Sequence, residues 1–470
     1  MKHALIFLLF LAHGALAQTD ARPNIILLMS DDQGWGETGY RGHPQLRTPA
    51  LDDMAAHGLR MDHFYAGSPV CSPTRASVLT GRNNDRTAVS SVGRPMRTGE
   101  TTIARLLRDA GYATAHFGKW HLSGFKGPGA PVLASDARHP GVFGYEYWLA
   151  STNFFDIDPM LGRNGVPEAF TGGSSEVVIR EAMKYIDSVK RTGKPFFMTV
   201  WFGSPHDPWQ AAESDRAPYA GQGDRAMHHY GEIAEMDRSI GLLRGRLRAM
   251  GIADNTILWF NSDNGGVKPF APSVNGGLRG FKGDLYEGGI RVPCVIEWPA
   301  VIRKPRISEM PASTLDILPT LAEAAGLATH ASGRPIDGAS ILGHLHGSLR
   351  ERPGPIPFRY QQKAAWVDYP FKLVSSKFRE GTFELYDLRH DPQETTDLIT
   401  REPSIAKRLI EAFQAWNASV DRSVAGADQP GGLTVHDPPA RAWISAAEYK
   451  PFLEVLLKRP EYRLVKAEED

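Results

Sequence analysis

Short apolar runs alternate with amphipathic segments along the chain as far as about Pro319. Runs of this kind are typical of buried strands, and apolar residues that recur every three or four positions are typical of helices. The runs that matter most for function are Asn24–Met29, Tyr112–Phe117, Phe196–Phe202 and Thr256–Phe260. The alternation predicts an α/β fold with a large, mostly parallel or mixed sheet that is sandwiched by helices.

The segments between these runs divide into helices and irregular loops. The predicted helices are Thr102–Ala110, Glu176–Lys190 and a longer one that carries apolar residues from Ile233 to Met250 and stops at Gly251. Two other segments, Ser135–Gly173 and Pro208–Asp224, show no clear period and are rich in Gly, Pro and aromatic residues. We interpret both as loops that shape a substrate site.

The pattern changes in the last third of the chain. Three short runs read as strands separated by turns, and a helical segment follows them: Ala364–Tyr369, Phe371–Ser375, Phe383–Asp387 and Ser404–Trp416. This order predicts a smaller C-terminal subdomain, an antiparallel sheet with a helix on it. We therefore assign residues 18–354 to the main domain and residues 355–470 to a C-terminal α+β subdomain.

The N-terminus has the pattern of a secretory signal peptide. Lys2 gives a positive start, Ala4–Ala12 is an apolar run, and Ala15-Leu16-Ala17 has the small-x-small form of a cleavage site. The alternatives are a buried first helix and a membrane anchor, but the run is short for a membrane span. We expect residues 1–17 to be removed and the mature protein to be exported to the periplasm or the medium, with no membrane attachment.

Charge and cysteine content narrow the classes of function. The 53 basic and 53 acidic side chains cancel, and no Lys/Arg block stands out, so no nucleic-acid partner is expected. Only two cysteines occur, Cys71 and Cys294, which excludes a disulfide scaffold. Cys294 lies in an apolar run and reads as a core residue, whereas Cys71 lies in a polar, proline-containing loop. The low cysteine content and the single sequon at Asn417 fit a bacterial exported enzyme.

Polar turns follow the four central runs. Asp31 and Asp32 come after the first run, and Asp263 and Asn264 come after the last. Open α/β sheets bind ligands outside the carboxyl ends of their strands, so these side chains should meet at one edge. Each turn alone would be ordinary turn chemistry. Together, three carboxylates and an amide oxygen indicate a site for a hard divalent cation, and calcium fits a flexible oxygen cage best.

The segment Pro69–Arg82 gives the sharpest local signal. Pro73 suits the first position of a helix with Ser72 as its cap, which places Cys71 at the helix N-terminus, where an anion is favoured. Arg75 lies about one turn further on and can reach the same place. The alternatives are a thiol that precedes a helix by chance and a simple cysteine nucleophile, although a thiol is poorly protected in an oxidising compartment.

Seven sequence blocks resemble, in order, the signatures of the type I sulfatases of the alkaline-phosphatase-like superfamily. Two carry the most weight: Cys-x-Pro-x-Arg at residues 71–75 with the following ASVLTGR, and GYATAHFGKWHL. The others are SDDQGWGE, SPHDPW, SDNGG, LRGFKGDLYEGGIRVP and LYDLRHDPQETTDL. One such motif is weak evidence, but the ordered set spans residues 23–398 and argues strongly against a chance match.

The resemblance implies a modified cysteine and a metal. Cys71 is expected to be converted by a maturation enzyme to Cα-formylglycine. One calcium ion is expected to be bound by residue 71 together with Asp31, Asp32, Asp263 and Asn264. The residues that match the remaining polar and basic positions of the family site are Arg75, Lys119, His121, His206 and Lys282. Lys119, His206 and Lys282 are also expected to contact the substrate.

The resemblance also implies a mechanism. A hydroxyl of the hydrated aldehyde attacks sulfur with help from Asp263, and His206 or Lys282 protonates the departing alcohol. His121 then takes the proton of the second hydroxyl, and sulfate leaves. Arg75 and Lys119 steady the modified residue. We take three other histidines to be ordinary surface or core residues: His63, His228 and His229.

Substrate choice is less well determined than the reaction. The resemblance is closest to bacterial arylsulfatases and the N-acetylgalactosamine-6-sulfatase group, so we expect a sulfated glycan or oligosaccharide. The alternatives are a phosphonate or phosphodiester hydrolase of the same superfamily and a catalytically silent carbohydrate-binding relative. Aromatic residues near the motifs or in the loops either stack on sugar rings or pack the loops: Trp35, Trp120, Tyr145, Tyr147, Trp148 and Trp209.

The first testable prediction concerns processing. Because the small-x-small site ends at Ala17, the exported protein should begin at Gln18. Intact-mass analysis of protein recovered from periplasm or medium measures this directly. Exported protein that still carries Met1 would contradict it.

Overall fold

The computed structural model describes residues 22–328, 333–428, 438–459 and 462 of the chain, so the predicted signal peptide lies outside the described residues. The strands are β1 (Asn24–Ser30), β2 (Leu59–Met61), β3 (Phe64–Tyr65), β4 (Ala113–Lys119), β5 (Phe125–Lys126), β6 (Tyr147–Ser151), β7 (Met160–Arg163), β8 (Val166–Ala169), β9 (Phe196–Trp201), β10 (Thr256–Ser262), β11 (Cys294–Glu297), β12 (Arg306–Ser308), β13 (Ala312–Ser313), β14 (Ile356–Tyr360), β15 (Lys363–Asp368), β16 (Phe371–Lys377), β17 (Thr382–Asp387) and β18 (Arg441–Ala442).

The helices lie between these strands. They are α1 (Pro49–His57), α2 (Cys71–Thr80), α3 (Ile103–Asp109), α4 (Ser174–Lys190), α5 (Glu213–Arg216), α6 (Asp224–Ala249), α7 (Glu287–Ile290), α8 (Ile317–Ala324), α9 (Leu342–Leu345), α10 (Pro403–Val424) and α11 (Leu453–Leu456). Within the described ranges, none of them combines the length and the apolar character that a membrane crossing requires.

The main sheet is mixed and has ten strands in the order β12-β2-β11-β10-β1-β9-β4-β6-β7-β8. The five central strands, from β10 to β6, are parallel, and antiparallel pairs flank them on both sides. Helices cover both faces. The predicted α/β class with a large, mostly parallel or mixed sheet is confirmed.

The central strands are apolar throughout because both of their faces are buried. In β1, Ile25 and Leu27 pack into the core that contains α2, α3 and α8. Ile26 and Leu28 pack into the opposite core, which contains α1, α4 and α6. A strand that is covered on both sides has no polar alternation, which is why it reads as a continuous apolar run.

The prediction that Ser135–Gly173 is an irregular loop is wrong. The segment contains β6, β7 and β8, which form one edge of the main sheet. β7 and β8 form a hairpin around Asn164 and Gly165, and both of these residues have positive φ. This edge is partly exposed, so its short strands lack the continuous apolar character of the centre. Pro208–Asp224 also contains a short helix, α5.

A second sheet of four antiparallel strands, in the order β14-β15-β16-β17, lies in the C-terminal part of the chain. Helix α10 packs on it through Leu409 and Phe413. This confirms the predicted antiparallel sheet with a helix. Strand β14 was not predicted, because Pro357 interrupts its pattern; β14 is an edge strand, where proline is tolerated. The domain boundary at residues 354/355 stays a prediction.

A buried ion cluster joins the four-stranded sheet to helix α7. The Nζ of Lys372 on β16 lies 2.9 Å from Oε1 of Glu287 on α7 and 2.9 Å from Oε1 of Glu394. All three side chains are inaccessible to solvent. Tyr65 donates a further hydrogen bond of 3.0 Å to Glu287. Burial outweighs the Lys372 charge and raises the pKa of Glu394 to about 7.

We predict that Lys372→Met lowers the free energy of unfolding by about 3–5 kcal/mol, since it leaves two buried carboxylates without their cation. Lys377→Met is the matched control on the same strand: Lys377 pairs with Glu380 at the surface and should contribute no more than about 1 kcal/mol. Urea unfolding of both variants measures the difference. An equal decrease in the free energy of unfolding in the two variants would contradict the structural role of the buried ion cluster.

Candidate active site

The carboxyl ends of the parallel strands bring the predicted site residues together. Asp31 and Asp32 follow β1, His206 follows β9, and Lys119 is the last residue of β4. Asp263 and Asn264 directly follow β10, the neighbour of β1. These strands run in the same direction, so their polar extensions share one edge of the sheet.

Cys71 is the first residue of α2, with Val70 rather than Ser72 at the cap position. The prediction of a Ser72 cap is wrong, because the Ser72 hydroxyl instead accepts a hydrogen bond from the Gly93 backbone N–H at 2.9 Å. The Cys71 thiol is buried, and its Sγ lies 3.4 Å from Oδ1 of Asp31. Burial raises the pKa of Cys71 well above its ordinary value, so the unmodified side chain is a thiol and a weak nucleophile.

Each of three buried carboxylates is paired with its own cation. The pairs are Asp31 Oδ2 with Lys119 Nζ at 2.5 Å, Asp32 Oδ2 with Lys282 Nζ at 2.7 Å, and Asp263 Oδ2 with Arg75 Nη2 at 2.7 Å. Burial by itself would raise the pKa of Asp31, but the charges of Lys119, His206 and Arg75 hold it well below its usual value. Burial likewise opposes the charge on Lys282, and Asp32 outweighs it and raises the Lys282 pKa.

The same residues suit a metal ion. Ligand atoms of Asp31, Asp32, Cys71 and His206 all lie within 4.8 Å of one another. Asp263 is outside this group and is held by Arg75 and by the backbone N–H of Asp32, which donates to its Oδ1 at 3.1 Å.

Two further observations fit a cation. The buried Oδ1 of Asn264 has no hydrogen-bond partner among the described residues, although its Nδ2 donates to Asp32 at 2.8 Å. Burial and the nearby charge of Asp31 raise the pKa of Asp263 to about 7. An unsatisfied buried oxygen and crowded carboxylates are both relieved by a hard cation, so the residues present fit one.

His121 is held by its backbone rather than by its ring. Its N–H donates to the Thr152 carbonyl at 3.1 Å, and its φ of 55° turns the chain away from the β4 direction. Both ring nitrogens are buried and make no hydrogen bond within the described part of the chain. Burial, and then the charges of Lys119 and Arg75, depress the His121 pKa well below its ordinary value, so the ring is neutral.

His206 lies at the more open side of the site. Its Nε2 is 3.3 Å from Lys282 Nζ and 3.7 Å from Asp32 Oδ2, and its Nδ1 lies 2.5 Å from the carbonyl oxygen of Asp207. Phe154 stacks on the ring, with centroids 4.9 Å apart and planes 10° apart. The sequence analysis missed Phe154, because nothing in its periodicity distinguishes it from a packing residue.

The other candidate aromatic and histidine residues divide by burial. Trp120 and Tyr145 are core residues, and the Trp120 indole donates to the Arg138 carbonyl at 2.8 Å. Trp120 and Tyr145 are therefore not accessible for stacking on a sugar ring. Trp209 is only partly buried and donates to the Pro205 carbonyl at 2.8 Å, which braces the loop of His206. His229 is buried beside Glu37, in keeping with an ordinary packing role.

The family model and the curated relatives that match this chain are described as sulfatases. A family model described as Sulfatase matches residues 23–327. N-acetylgalactosamine-6-sulfatase of Sus scrofa is 33% identical over 381 residues, covering 74% of this chain and 71% of that protein. Steryl-sulfatase of Homo sapiens is 28% identical and covers 88% of this chain and 90% of that protein. The solved structure of Ps i-CgsB in complex with k-i-k-neocarrahexaose is similar with a TM-score of 0.75 and 25% identity, covering 85% of this chain and 93% of that chain.

Proposed function

Because the chain belongs to the sulfatase family and is a sulfuric ester hydrolase, we propose that its substrate is a sulfate monoester on a glycan or oligosaccharide. The observation that best supports this function is the position of Cys71. It is the first residue of α2 and lies beside buried carboxylates that are each paired with a cation. The sugar is supported by relatives named for N-acetylgalactosamine 6-sulfate and by a structural neighbour that binds a neocarrahexaose. Export to the periplasm or the medium belongs to the same proposal.

The family generally uses calcium and formylglycine, and the residues here fit both. Asp31, Asp32, Asp263 and Asn264, with residue 71, would hold one calcium ion. When bound, the ion supplies positive charge that polarises the nucleophile and the sulfate oxygens. Cys71 would be converted to Cα-formylglycine by a maturation enzyme, and the hydrated aldehyde supplies two hydroxyls on one carbon.

The cationic side chains divide between an inner and an outer position. Arg75 and Lys119 are fully buried and fix the carboxylates around residue 71. The side chains of Lys282 and His206 are 23% and 14% exposed, so they face the side from which a sugar would enter. All of these groups are placed to stabilise negative charge that develops on sulfate and leaving oxygens, and preorganised charge of this kind is strongest in a buried site.

Proton transfer would involve His121 and either His206 or Lys282. The departing alcohol would receive its proton from His206 Nε2 or Lys282 Nζ, which lie 3.3 Å apart. His121 is neutral and neither of its ring nitrogens is hydrogen-bonded within the described residues, so it can accept a proton in the step that releases sulfate.

The sulfatase function and its two alternatives can be distinguished by the substrates that the enzyme hydrolyses. A phosphonate or phosphodiester hydrolase would use a similar charged site, so matched 4-nitrophenyl sulfate and phosphonate esters should be compared by kcat/KM. The sulfate ester should be preferred, and a panel of defined sulfated saccharides with free sulfate as the readout then identifies the sugar. A silent carbohydrate-binding relative would release no sulfate from any of them.

We predict that calcium is required for activity and adds to stability. Excess chelator should abolish turnover, and calcium should restore it. When the free calcium concentration is 100 times the Kd, removal of calcium lowers the free energy of unfolding by about 2.7 kcal/mol. Thermal melts with and without calcium detect this difference. Asn264→Ala should weaken calcium binding in a titration. Full activity in excess chelator, or zinc in the native protein, would contradict the assignment of a calcium site.

We predict that Cys71→Ser, made in a host that modifies cysteine but not serine, nearly eliminates steady-state turnover. A serine has one hydroxyl, so the enzyme should show at most one turnover per molecule. Thermal stability should change little, because the substitution is nearly isosteric. Cys294→Ala is the matched control: Cys294 is the other buried cysteine, lies on β11 and should leave turnover intact.

Mass spectrometry of the native protein tests the same point. Residue 71 should be found as an aldehyde or its hydrate, with the aldehyde lighter than cysteine. Repeated turnover at the native rate by a variant whose serine is shown to be unmodified would defeat the formylglycine mechanism.

A further inference from the structure

The last part of the chain that the structure describes packs against the segment that contains β5. We call residues 438–459 together with Tyr462 the C-terminal strap. Its strand β18 pairs in parallel with β5, so that Arg441 lies opposite Phe125. Trp443, Tyr449 and Tyr462 are at most 1% exposed and form one buried cluster with Phe125. This cluster is separate from the core between the four-stranded sheet and α10.

The surface that the strap covers is a loop of unusual composition, residues 124–133, which we call the Gly-Pro loop. Its centre reads KGPGAP, so two of six residues have no backbone N–H and two are glycines. Such a segment cannot satisfy its carbonyls by regular structure of its own. Carbonyls of this loop therefore need donors from elsewhere.

The strap supplies those donors. The Trp443 indole N–H donates to the Pro128 carbonyl at 2.8 Å. The Tyr449 hydroxyl donates to the Pro131 carbonyl at 2.9 Å. The Tyr462 hydroxyl donates to the Gly129 carbonyl. Three buried side chains thus hold three carbonyls within four consecutive residues.

One route leads from the loop to His121. Ala130 and Thr152 are doubly bonded, since Ala130 N–H donates to the Thr152 hydroxyl at 2.9 Å and Thr152 N–H donates to the Ala130 carbonyl at 2.7 Å. The Thr152 carbonyl accepts the His121 N–H at 3.1 Å. Because the His121 ring makes no hydrogen bond within the described residues, this backbone contact decides where the ring lies.

A second route leads to His206. The Gly129 N–H donates to the Phe154 carbonyl at 3.0 Å. The Phe154 ring stacks on the His206 imidazole. Asn153 adds a further hydrogen bond, as its Nδ2 donates to the Gly127 carbonyl at 2.7 Å. The Gly-Pro loop is therefore bonded to the segments that place both histidines.

We propose that the C-terminal strap is a positioning element of the active site, in which Trp443, Tyr449 and Tyr462 fix the Gly-Pro loop and thereby the rings of His121 and His206. The three residues are positioning residues, since they contact the loop and not the reacting atoms. The inference rests on the proposed function for the roles of the two histidines. A displacement of about 1 Å in a proton-transfer group is enough to lower a rate about 100-fold.

The test removes the donors and keeps an aromatic ring at each position. Tyr449→Phe deletes one hydroxyl, and Trp443→Phe with Tyr449→Phe deletes two donors. We expect kcat to fall at least about 10-fold in the double variant, in line with the positioning argument, with a changed pH profile and little change in KM. Calcium affinity should be unchanged, because the carboxylates are held by β1, β10 and α2. Hydrogen exchange should become faster in residues 124–133 and 150–154.

The matched control is Trp416→Phe. It removes an indole N–H that donates to Asp337 at 2.7 Å from α10, outside the strap. Its kcat, pH profile and loop exchange should equal those of the native protein. A chain ended after residue 437 should show the largest loss of kcat; if it fails to fold, the hydroxyl deletion in Tyr449→Phe still decides.

The outcomes separate this proposal from the proposed function. Hydrogen exchange and calcium titration need no turnover, so they report on the strap even if the native protein releases no sulfate, a result that would defeat the function and not the coupling. Native kcat and pH profile in the double variant would overturn the positioning role, whether or not loop exchange becomes faster. Unchanged exchange in residues 124–133 would overturn the coupling itself.

Discussion

The pairing of three buried carboxylates with three cations governs the arrangement of the active site. Each cation comes from a different part of the chain: Arg75 from α2, Lys119 from the end of β4 and Lys282 from the loop before α7. An uncompensated buried charge costs several kcal/mol, so none of these elements can shift without its partner. The charges that suit the site to an anionic ester therefore also hold together the sheet edge on which the site is built.

How much of this could be predicted from sequence depends on how local the determining contacts are. The strand predicted at Asn24–Met29 is observed at Asn24–Ser30, a difference of one residue. The prediction is close because burial on both faces of this strand requires a continuous apolar run, which is visible in the sequence. The strand predicted to stop at Phe117 continues to Lys119, because the Lys119 ammonium is buried by Asp31 and so behaves as a core residue. Apolar pattern alone cannot show that a charged residue is buried.

The wrong or missing predictions also concern residues whose structure depends on contacts that the local apolar pattern does not show. The edge hairpin β7–β8 is partly exposed and lacks an apolar run, and its one sequence signal is the dipeptide Asn164-Gly165, which favours a tight hairpin turn. The site residues were identified through motif resemblance, whereas Phe154 and the strap carry no motif. Trp443 and Pro128 are 315 positions apart, and no local pattern connects them.

Under the proposed function, fixed charge and proton transfer fall to different parts of the fold. The three carboxylates and Lys119 lie at the ends of parallel strands, and they pair with Arg75 on α2 and Lys282 on its loop. The histidines sit on loops, and His121 stays neutral because it is buried beside the Lys119 and Arg75 charges. An anionic sulfate between these cations would offset their field at the imidazole, and a weaker positive field makes proton acceptance easier. In the proposed function, the groups that would bind the ester would therefore also set the basicity of His121, provided that the ring and the cations keep a fixed separation. The ion pairs with the buried carboxylates fix the cations, but the ring depends on its loop and on the contacts that brace that loop.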